Sequence, residues 1–167
     1  MNAAPSASSG MLVRILGHTK LSEMRQPKET IRIGQLELHF LLDGEDTNHE
    51  LVIFEFLIPP GAKVPVPHYH KDVDEVVYGL EGVTTTTIDG NKVEIKEGDR
   101  LFIPRGVVHH HDNRTDQLAK SLIIMTPASI GPAYFREMSE LIKPGVPPDP
   151  MKATEIMRRH GLIPFVS

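Results

Sequence analysis

The chain has 167 residues, of which 40% are hydrophobic and 24% charged, with a formal net charge of −4 and no cysteine. That length suits one domain with its own core, and the acidic balance offers no basic field for a nucleic-acid backbone. Disulfides and thiolate metal sites are excluded, so any bound metal must be held by nitrogen and oxygen.

Residues 1–10 (MNAAPSASSG) are small and polar, and a disordered tail is expected there, with neither the basic start nor the apolar run of a secretory signal. No stretch approaches the roughly 20 apolar residues of a membrane helix. A soluble, cytoplasmic protein without a nucleic-acid or membrane partner is expected. Met11–Leu16 (MLVRIL) reads as an apolar edge strand and Lys20–Glu29 as a polar connection. Strand-like runs follow at Ile31–Ile33, Gln35–Leu42 and Glu50–Ile58. In QLELHFLL, Leu36, Leu38, Phe40 and Leu42 alternate with Gln35, Glu37 and His39, which is the period of a half-buried strand. Gly44-Glu45-Asp46 reads as a turn, and Pro59-Pro60-Gly61 stops the next strand because proline cannot donate to a ladder. Residues 75–80, 83–88, 92–96, 101–103, 107–111 and 118–126 continue the pattern, with hairpin chemistry at Asp89-Gly90 and turns at Glu97-Gly98-Asp99 and Arg105-Gly106. So many short strands predict an all-β antiparallel sandwich or barrel. After Pro127 the period changes. Tyr134, Phe135, Met138, Leu141 and Ile142 recur at helical spacing behind Pro132. A second helix is predicted from Pro150 to His160, capped by Asp149 and ended by Gly161, with Ala153, Ile156, Met157 and His160 on one face. Both helices are short and amphipathic and should pack on the barrel.

The nine histidines are unevenly placed. His68 and His70 are two residues apart, so on a strand both imidazoles point to one face. Glu75 follows a polar turn, and His109 lies on a later strand. Three imidazoles and a carboxylate suit one divalent Fe, Mn, Ni, Zn, Co or Cu ion and are too nitrogen-rich for Ca or Mg.

These residues also fall into two spaced motifs: Gly61-x6-His68-x-His70-x4-Glu75-x6-Gly82, then Gly98-x5-Pro104-x-Gly106-x2-His109-x3-Asn113. Together they resemble the two motifs of the cupin superfamily. The first has one more residue between Gly61 and His68 than the commonest form; residues 83–97 separate the pair, a spacing near the short end for that family. The resemblance implies a double-stranded β-helix, or jelly-roll, barrel with His68, His70, Glu75 and His109 as metal ligands. It implies one cupin domain over 11–167, with a barrel core about 31–126 and C-terminal helices about 132–160. More narrowly, residues 35–163 look like small bacterial cupins described as quercetin-dioxygenase-like. In such proteins the glutamate equivalent to Glu75 is implied to hydrogen-bond or deprotonate the substrate hydroxyl. A metal-dependent dioxygenase acting on a small enol, phenol or flavonol-like substrate is therefore expected. A non-oxidative isomerase or lyase, or a non-catalytic binding or sensor module, stands as the alternative. A homodimer pairing through Met11–Leu16 is also expected.

Several neighbours invite a role. Alternation puts His111 on the face of His109, as a partner of the site, a substrate contact, an acid/base beside Glu75 or a satisfied core histidine; His110 faces outward. Tyr69 and Tyr78 are expected to pack away from the site. Asp72, Asp74 and Arg105 read as solvated turn residues, and Thr84–Thr87 as a β-propensity run. Phe135, Met138 and Ile142 belong to the core of the covering helix or line the pocket. His18, His39, His49 and His160 carry no pattern. Phosphate-binding glycine motifs, serine nucleophile elbows and paired catalytic carboxylates are missing.

Overall fold

The computed structural model of the protein describes residues 26–143 and 147–165. The expected tail at 1–10 and the Met11–Leu16 strand lie outside those residues. In chain order the strands are β1 (Glu29–Ile33), β2 (Leu36–Leu42), β3 (Val52–Ile58), β4 (His68–His70), β5 (Asp74–Glu81), β6 (Thr84–Ile88), β7 (Asn91–Ile95), β8 (Arg100–Ile103), β9 (His109–Asp112) and β10 (Ala119–Thr126). Two helices follow, α1 (Pro132–Leu141) and α2 (Pro150–Arg159), and then β11 (Leu162–Pro164).

The strands form two antiparallel sheets, one ordered β1-β2-β3-β10-β5-β8 and the other β11-β4-β9-β6-β7. From β3 to β10 the chain passes back and forth between them, so the architecture is the all-β jelly-roll barrel. Alternation explains the core. In β3, Val52, Phe54, Phe56 and Ile58 point inward while Ile53, Glu55 and Leu57 do not. Phe40, Phe54 and Phe56 stack in series on the inner face, with ring centroids 5.1 and 6.4 Å apart. Each such buried side chain contributes about 1.5–3 kcal/mol relative to exposure.

The alternation expected of β2 fails at its end. Leu42 was expected inside with Leu36, Leu38 and Phe40, yet it is 39% exposed. The β2–β3 register shifts between Phe40 and Leu42, and this extra residue turns Leu42 to the outer face. Tyr78 was expected to pack, yet it is 39% exposed on the outer face of β5.

Both helices begin with proline in the first turn. Asp149 caps α2, its carboxylate accepting from the backbone N–H groups of Met151 and Lys152. Tyr134 and Met138 of α1 are buried against the barrel. β11, which no periodicity announced, pairs with β4 and returns the chain beside His68 and His70. No helix among the described residues is long and apolar enough to cross a membrane.

Candidate metal centre

Strand geometry assembles the site. His68 and His70 of β4 are buried with Tyr69 half-buried between them. His68 stands directly opposite His109 in the β4–β9 register. On β9, His109 and His111 are buried and His110 faces the other way, half-buried. All four inward imidazoles therefore come from the five-stranded sheet. Glu75, 2% exposed, comes across the barrel from β5 of the other sheet.

The ring nitrogens of His68, His70 and His109 lie within 4.8 Å of one another, and so do ligand atoms of Glu75, His109 and His111. The structure thus brings all five residues together, as two groups that share His109. Glu75 joins them through its two oxygens. Oε2 lies 3.5 Å from His109 Nε2 and 3.8 Å from His70 Nδ1, while Oε1 accepts a 3.1 Å hydrogen bond from His111 Nε2.

Backbone carbonyls fix two of the tautomers. His68 Nδ1 donates to the Val66 carbonyl at 3.0 Å and His109 Nδ1 to the Val107 carbonyl at 2.9 Å. Their Nε2 lone pairs are left free, which is how outer carbonyls orient imidazole ligands at metal sites. Nε2 of His70 and of His109 is buried without a hydrogen-bond partner. Orphaned buried acceptors are costly unless something outside the chain meets them. A divalent ion fits that description, so the residues present suit the group that the donor set implies.

The electrostatics agree. Burial pushes His68 down to about 3 and His70 down to about 4, so both are neutral and ready to donate a lone pair. Burial alone would raise the Glu75 carboxyl, but the imidazoles of His109 and His111 against it hold it well below its ordinary value. His109 is lowered by burial and raised more by Glu75, and ends above its ordinary value.

Sequence reasoning missed two supporting elements. Thr84–Thr87 was read as a propensity run, yet Thr86 lies opposite His111 in the β6–β9 register and its hydroxyl sits 2.8 Å from His111 Nδ1. Because a carboxylate only accepts, His111 Nε2 carries the proton toward Glu75, and in the neutral ring Nδ1 then accepts from Thr86. Four threonines in a row offer no alternation that would single out Thr86, and Thr84, Thr85 and Thr86 are all buried. Asp74 and Arg105, read as solvated turn residues, form a clamp beside Glu75. The Asp74 carboxylate accepts from the Arg105 backbone N–H at 2.8 Å and from its guanidinium at 3.0 and 2.7 Å, which holds the Asp74 carboxyl down at about 2.

Above the cluster lies a cavity of about 90 Å³. Phe135, Met138 and Ile142 line it and also pack on the core, so both readings of the covering helix hold.

Residues 54–125, which contain all five clustered side chains, match the Cupin domain family model. The chain is 41% identical over 66 residues to an uncharacterized protein of Aquifex aeolicus, covering 40% of this chain and 54% of that one. It is 28% identical over 106 residues to the quercetin 2,3-dioxygenase of Bacillus subtilis, covering 62% and 30%. It thus spans about half the length of the first relative and under a third of the second. Among solved structures, a predicted oxalate decarboxylase of Thermotoga maritima superposes with a TM-score of 0.55 at 26% identity, over 65% of this chain and 96% of that one. Motif, barrel topology and these likenesses agree that the chain is a small protein of the cupin superfamily.

Proposed function

We propose that the chain is a metal-dependent dioxygenase acting on a small enol, phenol or flavonol-like molecule. The observation that carries the reading is the convergence of three buried imidazoles, two of them with orphaned Nε2 atoms, on the floor of an apolar cavity beside an ionised Glu75. His68, His70 and His109 would hold the ion, with Glu75 as fourth ligand or as base. The donor set suits Fe, Mn, Ni, Co, Cu or Zn. Bound there, such an ion supplies Lewis acidity and, for the redox-active members, one-electron chemistry with O₂.

The chain's own residues do the rest. Oε2 of Glu75, facing His70 and His109, is placed to take the proton of a substrate hydroxyl. His111 holds Oε1 through its Nε2 proton, so that the carboxylate presents a fixed face. The apolar wall keeps bulk water from the floor, which strengthens every charge interaction there. The likeness to quercetin 2,3-dioxygenase supports this choice.

Protein reconstituted without oxygen with Fe, Mn, Ni or Co and then given a small enediol, a catechol or quercetin should consume O₂ with at least one of them, and only when metal-loaded. His68→Ala should lose the ion and reduce uptake to background. No uptake with any of these metals and any enediol or catechol would sink the reading. The likeness to a predicted oxalate decarboxylase favours a second reading, a non-oxidative metal-dependent isomerase or lyase. Product formation under strict anaerobiosis would select it.

A further inference from the structure

The floor and the rest of the cavity differ sharply in chemistry. The floor is the His/Glu cluster. The walls are apolar side chains such as Phe54, Phe56 and Ile123, and the roof is Tyr134, Phe135 and Met138 of α1. Among the described lining residues there is no lysine or arginine, and beyond the cluster the Tyr134 phenol is the one polar side chain. A ligand charge held away from the floor would lose its water and gain no partner, which is strongly unfavourable.

Size is limited as well. The cavity measures about 90 Å³, whereas an apolar cavity of roughly 150 Å³ is the kind that holds a benzene. The roof is fastened on two sides. Ser139 donates to the Arg32 carbonyl at 2.6 Å, and Arg136 grips Glu29 at 2.7 and 2.8 Å, tying α1 to β1. His160 meets Glu137 at 2.8 Å, tying α1 to the end of α2. Phe135 is wedged against Phe40 and Phe54 at 5.5 Å each.

We propose that the site takes a small chelating ligand whose body beyond the metal-facing oxygens is uncharged, apolar and smaller than a phenyl ring, with Phe135 and Met138 setting that limit. The inference rests on the metal reading above and narrows it to small enols: dianions such as oxalate and ring bodies such as phenols and flavonols are disfavoured by the same lining.

Hydroxamates test it, because one chelating head can carry different tails and the metal contribution then cancels. Co(II)-loaded protein is titrated with aceto-, butyro-, benzo- and succinomono-hydroxamate, following the visible absorption of the ion. Butyrohydroxamate should bind about 15-fold tighter than acetohydroxamate, at about fourfold for each of its two additional buried methylenes. Succinomonohydroxamate, whose tail ends in a carboxylate, should bind at least about 50-fold more weakly than butyrohydroxamate. Benzohydroxamate should bind more weakly than butyrohydroxamate to the unaltered protein and gain at least tenfold on it in Phe135→Ala and in Met138→Ala. Two variants are used so that a folding defect in one leaves the other to decide, with far-UV circular dichroism as the check. Equal affinity for the charged and uncharged tails, or no gain by benzohydroxamate in a folded roof variant, overturns the inference while leaving the metal reading intact. Absence of any Co(II) absorption overturns the metal reading, and this inference with it.

Discussion

Glu75 is shared between two sets of partners, and Thr86 decides how that sharing is held. Its hydroxyl fixes His111 Nδ1, and His111 Nε2 fixes Glu75 Oε1, so a β6 side chain sets the orientation of a carboxylate on the opposite sheet. Thr86 is fully buried, so its loss cannot be made good by solvent. Thr86→Val keeps the shape and removes the donor. It should cost about 1–3 kcal/mol of stability, the usual penalty for orphaning a buried polar atom. It should also move the His111 ring nitrogen signals in ¹⁵N spectra. Unchanged ring signals would mean that Thr86 merely packs. At this scale the sequence was readable for His68, His70, Glu75, His109 and His111, because their spacing is fixed by strand period and motif. Thr86 was not readable, since its role depends on which strand lies next to β6. The same holds for the Val66 and Val107 carbonyls, which any residue would supply.

Elements depend on close approaches that one-dimensional patterns do not carry. The turn after β7 crosses from one sheet to the other and lands on Gly79 of β5. Gly79 N–H donates to the Asp99 carbonyl at 2.9 Å, and Gly98 N–H donates to the Gly79 carbonyl at 3.0 Å. A Cβ on Gly79 would sit 2.0 Å from the Lys96 carbonyl oxygen, a backbone atom that cannot swing aside. Gly79→Ala should therefore force β5 and the turn apart, at or above the upper end of the about 1–3 kcal/mol that overpacking costs. The urea midpoint would show it, at an unchanged slope, and a midpoint within error of the parent would contradict the packing. The turn at Glu97-Gly98-Asp99 was legible from its residue types; its contact with Gly79 was not. The strands with clear alternation were legible too. β11 has three residues, one of them proline, so it offers no period to detect, and it exists because β4 presents an open edge. The bulge that exposes Leu42 is likewise a matter of pairing, since QLELHFLL reads as unbroken alternation.

The whole molecule carries the cost of holding two buried imidazoles, His68 and His70, neutral, and pH exposes that cost. In the unfolded chain His68 and His70 take up protons near 6.5; in the folded protein they resist until about 3 and about 4. Stability from these two groups is thus fully present above 6.5. It falls as pH drops below that, because the unfolded state binds the extra protons, each worth on the order of 1 kcal/mol per pH unit. His109 acts in the opposite sense, since its value is raised and its contribution is present at low pH and lost as pH rises through its folded value. Glu75, held low, adds to the loss only once pH falls below its ordinary 4.5. Between 6.5 and 4.5 His109 is protonated in both states and adds no slope, so metal-free protein should lose stability over that window with a net slope near two protons, from His68 and His70. Urea unfolding at pH 7, 6 and 5 measures it. His109→Ala should leave the slope in that window nearly unchanged, and His68→Ala should about halve it. A divalent ion competes with protons for the same lone pairs and binds only the folded arrangement, so adding one should raise stability by mass action, and more at pH 7 than at pH 5. Stability that is flat between pH 7 and 5 without metal, or a metal effect independent of pH, would show that the imidazoles are not held neutral against the barrel floor.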